Sequence, residues 1–511
     1  MLNMNKKENN NDLNKIGLTI QKFREKNNLT QKDLANKLET TQSAVARMES
    51  GDQNISASTL SKINQALEIN LFHINSESLT VKIKGGKKLK GSIETKTSKN
   101  GAVGLMCASI LNKGKTTLKN TPRIEEVFRI AEVLESIGFN ITWKNSDMTI
   151  SPPEKIKIDS INKEAAQKTR SIIMFLGPLI HKLPSFQLPT IGGCRLGKRN
   201  TSPHFFALES LGVSFKKGNW QYKPSSSLKP KTVILYESGD TVTENAIMAA
   251  AGIPTTTTIK FASANYQVQE MCFFLKKLGV KIEGIGTTTL KVTGLSEINK
   301  NISYNLSEDP IESMFFLATA IVTNSSITIK RCPIDFLELE LLKLKKMGFK
   351  YKKSDVYFSE NQETKLVDIT TYQSKMKAGR DTKIEPRPYP GLNIDNLPFF
   401  AIIATQTEGQ ILIHDWVYEE RAIYYKELDK LGAKTILADP HRIYISGKTP
   451  LIANEVICPP ALRPAAIILI GMLAADGVSV LRNIYSINRG YESIIERLND
   501  LGASIEFESN I

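Results

Sequence analysis

The stretch LESIGFNI, residues 134–141, returns five more times along the chain: LESLGVSF at 208–215, LKKLGVKI at 275–282, LKKMGFKY at 344–351, LDKLGAKT at 428–435 and LNDLGASI at 498–505. Its glycines, Gly138, Gly212, Gly279, Gly348, Gly432 and Gly502, are separated by 74, 67, 69, 84 and 70 residues. Each copy reads as the end of an amphipathic helix, a glycine suited to the left-handed position that stops it, and an alternating strand. After most copies a polar turn leads into a second strand, as in FNITWKNSDMTIS and AKTILADPHRIYIS, which predicts a hairpin. Upstream, a helix such as NAIMAAAG or FFLATAIV runs through a turn into a strand such as TTTTIKF or SSITIKR. The unit is an α/β module longer than the repeats of about 20–50 residues that build solenoids. Six copies therefore predict compact lobes rather than a rod.

Residues 16–74, ahead of the repeats, show no strand-like alternation. Their apolar positions, Ile16, Ile20, Phe23, Leu29, Leu34, Leu38, Val45, Met48, Leu60, Ile63 and Leu67, recur at helical spacing in short bursts. Thr30 followed by Asp33 has the form of a capping box and predicts a helix from Gln31 to about Lys37, with Thr40 or Thr41 opening another. The segment LTQKDLANKLETTQSAVARMESG, residues 29–51, resembles the helix-turn-helix of the Cro/C1-type repressor family. The resemblance implies that a helix from Gln42 to Met48 enters the major groove of DNA, presenting Gln42, Ser43 and Arg47 to base edges, while Gln31 holds a phosphate. One such motif reads one half-site, so DNA recognition implies a dimer. The alternative is a module kept for protein interaction, because residues 1–76 hold ten Lys/Arg against eight Asp/Glu.

Composition narrows the class. The chain has 511 residues with 41% apolar and 23% charged side chains, which excludes disordered, collagen-like and membrane-embedded classes. No apolar run approaches the ~18 residues of a membrane span. The N-terminal MLNMNKKENNNDLNK has no apolar core followed by a small-residue cleavage site, so a secretory signal is not expected and a cytoplasmic location is. The cysteines, Cys107, Cys194, Cys272, Cys332 and Cys458, are scattered without a C-x-x-C pair, and the five histidines are dispersed, so neither a disulfide framework, a metal nor any other cofactor is expected. Of the formal charge of +15, the part beyond residue 76 carries +13, consistent with a Lys-rich solvated surface or with a partner bearing phosphates or carboxylates.

Two segments have the residue types of a reaction site. Ser98-Lys99-Asn100 follows the first strands of the large region and precedes the helical GLMCASIL; by itself it reads as a cap and a surface cation. IGGCRLGKR, residues 191–199, satisfies G-x-x-x-x-G-K, but Arg199 stands where a Ser or Thr would bind magnesium, which excludes a P-loop. Cys194 instead lies between a glycine pair and the cations Lys198 and Arg199, surroundings that favour a thiolate.

The six-fold repeat with these segments resembles the enolpyruvyl transferase family, whose members act on UDP-N-acetylglucosamine or on shikimate 3-phosphate. The resemblance implies a two-lobed α/β fold, an inside-out α/β barrel of six repeats, preceded here by the small all-α domain over 1–76. Lobe I would comprise 80–98 and 307–511, and lobe II 99–306 with the Cys194 loop. GGC-x-x-G-x-R looks like the mobile loop of the UDP-N-acetylglucosamine enzymes, making Cys194 a general acid able to form an adduct with phosphoenolpyruvate. Asp395, in YPGLNIDNLPFF, resembles the carboxylate that takes the proton from the sugar 3-hydroxyl. Lys99, Arg199, Arg463 of PALRPAA and Arg489 of INRGYE would bind phosphoenolpyruvate. Asn100, Arg170 of KTRSIIMFLGPL, Asp395 and Arg421 of YEERAIYYKELDKLGA would bind the nucleotide sugar. Lys99 and Asn100 join Cys194 and Asp395 as catalytic residues.

The chemistry needs such a set. Phosphoenolpyruvate carries a carboxylate and a phosphate on adjacent atoms, which several guanidinium groups can grip bidentately. Its methylene must gain a proton while the acceptor hydroxyl loses one, so a separate acid and base are required. The chain departs from the family pattern at Asn200-Thr201-Ser202-Pro203, at Glu237-Ser238-Gly239-Asp240, at Pro310 where an Arg is usual, at Ala461 in place of an Asp, and at Asn488 in place of another. Most of these fall on the nucleotide-sugar side. A different nucleotide sugar, or a DNA-binding regulator whose transferase region senses a ligand without turnover, are therefore the alternatives to UDP-N-acetylglucosamine; the oligomeric state is not legible.

Overall fold

The computed structural model describes residues 17–508 apart from 19, 26, 28, 51–58, 60, 61, 64, 65, 68–78, 190–199, 217, 218, 223–230 and 381. Cys194 and Arg199 lie outside the described residues.

The buried apolar side chains fall into three clusters. One joins Ile20, Leu34, Val45, Met48 and Ile63 of the N-terminal helices. A second runs from Ala102 to Leu306, and a third joins Val81–Ile93 to residues 311–505. These last two are the cores of two lobes. The N-terminal unit forms as its sequence requires: helix Gln31–Lys37 starts at Thr30, whose Oγ1 accepts from Asp33 N while Asp33 Oδ2 accepts from Thr30 N. The next helix, Gln42–Ser50, extends two residues past the expected Met48.

Each repeat contributes one outer sheet, and there are six among the described residues. The expected hairpins are present, Asn140–Lys144 with Asp147–Ser151 and Lys434–Asp439 with Arg442–Gly447. All six repeat glycines have φ between +84° and +107°, as the helix stop demands; Gly279 and Gly432 are left-handed C-caps. The sheets are not closed within each repeat. Thr80–Lys84 inserts antiparallel between Val478–Arg482 and Ile505–Phe507, Ser92–Glu94 adds parallel to Thr328–Pro333, and Ile302–Asn305 adds parallel to Thr116–Lys119. The first and last repeats are thus stitched together.

Inside the sheets run largely buried helices with little solvent face. In lobe I these are Pro310–Val322, Leu397–Thr405 and Leu462–Ala474, packed on one another, with every residue buried in the first two. In lobe II, Asp240–Ala251 packs against Leu176–Leu179 and Tyr266–Leu278, and Tyr266–Leu278 against Lys99–Ala108. The chain crosses between lobes twice, side by side: Ser98 N donates to Ser307 O at 2.8 Å, Asp309 N donates to Lys96 O at 2.8 Å, and Thr97 bridges Glu308. Lys99–Ala108 and Pro310–Val322 begin where the crossings end, so their N-termini, which carry partial positive charge, face the junction.

Candidate active site

A similar structural position recurs in repeat after repeat: the start of an inner helix. Lys99 is the first residue of its helix and Arg170 the first of the 3-10 turn Arg170–Phe175; Asp240 opens Asp240–Ala251, Asp309 caps Pro310–Val322, Asp395 lies two residues before Leu397–Thr405, and Arg463 is second in Leu462–Ala474. Five of these act on one another electrostatically. Asp395 senses Arg463, Arg421 and Lys99; Asp309 senses Arg463, Lys99 and Asp395; Asp240 senses Asp395. Side chains separated by hundreds of positions thus meet at the junction of the lobes.

Asp395 is the hub on the lobe I side. Its Oδ2 lies 3.3 Å from Arg463 Nη2 and its Oδ1 3.8 Å from Arg421 Nη1. Burial favours its neutral form, but Arg463, Arg421 and Lys99 outweigh that and hold the carboxyl below the ordinary range. The side chain remains 25% exposed, so an ionised oxygen can be reached. Arg463 is steadied by Tyr491, to whose hydroxyl it donates at 2.7 Å and over whose ring it lies. Arg421 occupies a different layer. Only 1% exposed, it donates to Asp415 Oδ2 at 2.5 Å and to Ile394 O at 2.8 Å, with Tyr418 against its guanidinium. It stands behind Asp395 rather than lining open space.

Glu126 is the hub on the lobe II side, and the sequence reading passed over it. Its Oε2 accepts from Lys99 Nζ at 2.9 Å and lies 3.6 Å from Arg489 Nη2 of the opposite lobe, while its Oε1 accepts from Thr169 Oγ1 and Ser171 Oγ, each at 3.1 Å. Burial works against its charge, yet Lys99 and Arg489 drive its carboxyl well below the usual range. Asn100, next to Lys99, donates through Nδ2 to Tyr266 Oη at 2.9 Å. Two further contacts join the lobes: Asn393 Nδ2 to Asn265 Oδ1 at 3.3 Å and Arg123 N to Glu492 Oε2 at 3.3 Å.

On the side where the sequence departs from the family pattern, Arg170 donates to Asn200 O at 3.4 Å. His204, buried in the helix Ser202–Glu209, pairs through Nδ1 with Asn245 Nδ2 at 2.9 Å; burial and the charge of Arg170 push its pKa down to about 3, so the ring is neutral. Glu237 is pulled the other way, its carboxyl raised by burial against the charge of Arg170.

In the N-terminal unit Gln42 and Ser43 are exposed at the start of the second helix and Arg47 is exposed farther along it. Gln31 Nε2 is engaged with Glu49 Oε2 at 2.9 Å, beside the buried Arg24–Glu49 pair. That bond competes with the phosphate contact expected of Gln31. No helix among the described residues is long and apolar enough to cross a membrane.

Comparison with known proteins agrees with this architecture. Residues 83–498 match the family model described as EPSP synthase (3-phosphoshikimate 1-carboxyvinyltransferase), and residues 20–74 match a helix-turn-helix model. The UDP-N-acetylglucosamine 1-carboxyvinyltransferase of Treponema denticola is 33% identical over 431 residues, covering 83% of this chain and 98% of that protein. The enzyme of the same name from Bradyrhizobium diazoefficiens is 31% identical over 426 residues, covering 83% and 97%. Among solved structures, the enolpyruvyl transferase NikO from Streptomyces tendae superposes with a TM-score of 0.71 at 21% identity, over 84% of this chain and 99% of its own. EPSP synthase from Acinetobacter baumannii superposes with a TM-score of 0.66 at 17% identity, over 84% and 100%. With six outer sheets, two helical cores and a shared charged junction on one side and this coverage on the other, the chain belongs to the EPSP synthase family of enolpyruvyl (carboxyvinyl) transferases, with a helix-turn-helix unit ahead of the transferase.

Proposed function

We propose that the protein transfers the enolpyruvyl group of phosphoenolpyruvate to the 3-hydroxyl of UDP-N-acetylglucosamine, releasing phosphate, the first committed step of peptidoglycan precursor synthesis, and that it acts in the cytoplasm. The observation that carries the reading is the end-to-end similarity to UDP-N-acetylglucosamine 1-carboxyvinyltransferases. The charged junction supplies a chemistry that suits it. Asp395, kept ionised by Arg463 and Arg421, takes the proton of the acceptor hydroxyl as its oxygen bonds to C2 of the enol. Cys194 gives a proton to C3, completing a tetrahedral adduct. Loss of a proton from C3 and cleavage of the C2–O bond to phosphate then restore the double bond. Lys99, Arg199, Arg463 and Arg489 balance the carboxylate and the departing phosphate, Asn100 and Arg170 hold the nucleotide sugar, and helix N-termini add their partial charge. Closure of the lobes removes water from the reacting atoms.

The deciding experiment is phosphate release from phosphoenolpyruvate with and without UDP-N-acetylglucosamine, alongside a Cys194→Ala control. Acceptor-dependent release in the wild type, abolished in the control, is the expected result. No release at high enzyme concentration would favour a ligand-sensing regulator, and release with only another nucleotide sugar would reassign the acceptor.

A second role rests on the N-terminal unit. Its match to a helix-turn-helix model and the exposure of Gln42 and Ser43 support binding to double-stranded DNA through Gln42, Ser43 and Arg47, with Gln31 at the edge of that surface. Selection from a random duplex pool by the full chain, with Gln42→Ala and Arg47→Ala as controls, tests it. Enrichment of a common half-site lost in both variants is expected; no enrichment leaves the unit as a protein-interaction module.

A further inference from the structure

We propose that Tyr266 is a positioning residue of this site, its hydroxyl orienting the Asn100 carboxamide and its ring registering lobe II against the segment of lobe I that carries Asp395. Nothing in the sequence segment SANYQVQ marks this tyrosine as functional; its surroundings do. Tyr266 is the first residue of Tyr266–Leu278, a lobe II helix, with its N–H held by Asn265 Oδ1 at 2.9 Å. Yet its ring, 3% exposed, is part of the lobe I core, where it meets Phe336 edge-on with centroids 5.9 Å apart. Phe336 in turn packs on Tyr389 at 5.2 Å, and Tyr389 begins the YPGLNID segment that ends at Asp395.

The neighbouring residue makes a second tie to the same segment. Asn265 Oδ1 accepts from Asn393 Nδ2, and Asn393 Oδ1 accepts from Asp395 N at 2.8 Å. The Asn265–Tyr266 pair therefore reaches the base-bearing segment near both of its ends, directly at Asn393 and through Phe336 at Tyr389. On the other side of the ring, the phenol oxygen accepts from Asn100 Nδ2 at 2.9 Å, which fixes that amide and leaves its Oδ1 as an acceptor. Burial and the nearby carboxylates of Asp309 and Asp395 raise the phenol well above its ordinary value, so the hydroxyl keeps its proton. Tyr266 thus sets the spacing between Asn100 and Asp395, two groups that would flank the acceptor hydroxyl.

The acceptor part of this inference rests on the function proposed above; the lobe-register part does not. In the full chain, Tyr266→Phe keeps the ring and removes the hydroxyl. The expected result is a KM for UDP-N-acetylglucosamine raised about fivefold to tenfold, the size of one lost hydrogen bond, with the KM for phosphoenolpyruvate within about twofold and the melting temperature nearly unchanged. Adding Tyr266→Phe to Asn100→Ala should cause no further loss. An unchanged acceptor KM, parallel rises in both KM values, or additive losses would overturn the orienting role. Tyr266→Leu, which fills the space without an aromatic edge, should speed amide hydrogen exchange at 389–395 in the ligand-free protein while leaving the rest of lobe I as it was. Unchanged exchange there would overturn the register. If the wild type shows no release dependent on UDP-N-acetylglucosamine, the acceptor reading fails and the exchange experiment still decides the register.

Discussion

Arg489 of lobe I places Nη2 3.6 Å from Oε2 of Glu126 in lobe II, the same oxygen that accepts from Lys99 Nζ at 2.9 Å. One carboxylate therefore sets the separation of two cations assigned to phosphoenolpyruvate, across the gap that must close. Glu126→Gln is expected to raise the KM for phosphoenolpyruvate about tenfold and to lower kcat, because the two like charges lose the anion between them; Glu126→Asp should recover part of both. Steady-state kinetics of the three proteins checks this.

Asp395→Asn should lower kcat by about 10²–10⁴, the range for loss of a general base. Calorimetry should still detect phosphoenolpyruvate. Because Arg463, Arg421 and Lys99 overcome burial to hold Asp395 below the ordinary carboxylate range, the wild-type acid limb of kcat/KM attributed to this group should lie below that range as well. A limb near neutrality would assign the base elsewhere.

His181 predicts how stability depends on pH. Its Nε2 donates to Ala249 O at 2.7 Å, and burial lowers its pKa from 6.5 to about 4. Between those values the unfolded chain takes up a proton that the native ring refuses, so the contribution of His181 costs stability as pH falls, by at most about 1.4 kcal/mol per pH unit, and the slope ends below the native value. His181→Gln should flatten the fall in urea midpoint between pH 6.5 and 4.5.

Gly101→Ala should destabilise lobe II by about 1–3 kcal/mol, the range for an overpacked core. A Cβ there would stand 2.0 Å from Glu270 Oε2, and Glu270 is buried with its other oxygen accepting from Ser307 N at 2.6 Å beside the lobe crossing. Urea unfolding measures the loss, and kcat should fall with it.

Removal of residues 1–76 should leave phosphate release nearly unchanged, since all six repeats lie beyond them. A truncated protein without turnover would mean that the helix-turn-helix unit is coupled to the transferase.

Local chemistry was the legible part of the fold. Thr30 and Asp33 announce the start of helix Gln31–Lys37, and the repeat glycines mark where helices stop, because caps and left-handed turns depend on residues close in sequence. The strand exchanges were not legible: nothing within TVKIK tells that it pairs with Val478–Arg482. At the site, Lys99, Asp395 and Arg463 were found through their segments, whereas Glu126 was hidden. In RIEEVFRI it looks like any acidic residue in the first turn of a surface helix, and only long-range packing buries it. Asp309 carries no mark within its own segment, although it shares with Lys99 and Arg463 a place at the start of an inner helix, a likeness visible only when the repeats are compared position by position. Arg421 shows the converse, a charge that the sequence cannot place in front of or behind its partner.

The pairing of Thr80–Lys84 with Val478–Arg482 and Ile505–Phe507 bears on biosynthesis. A strand near the beginning of the transferase must wait, unpaired on both edges, until the ribosome has delivered almost the entire polypeptide. The contiguous core from Ala102 to Leu306 has no such delay and can collapse during translation. A nascent chain stopped short of residue 478 would hold a finished half and an open one, so premature termination anywhere before the last repeat leaves a protein without a closed lobe I.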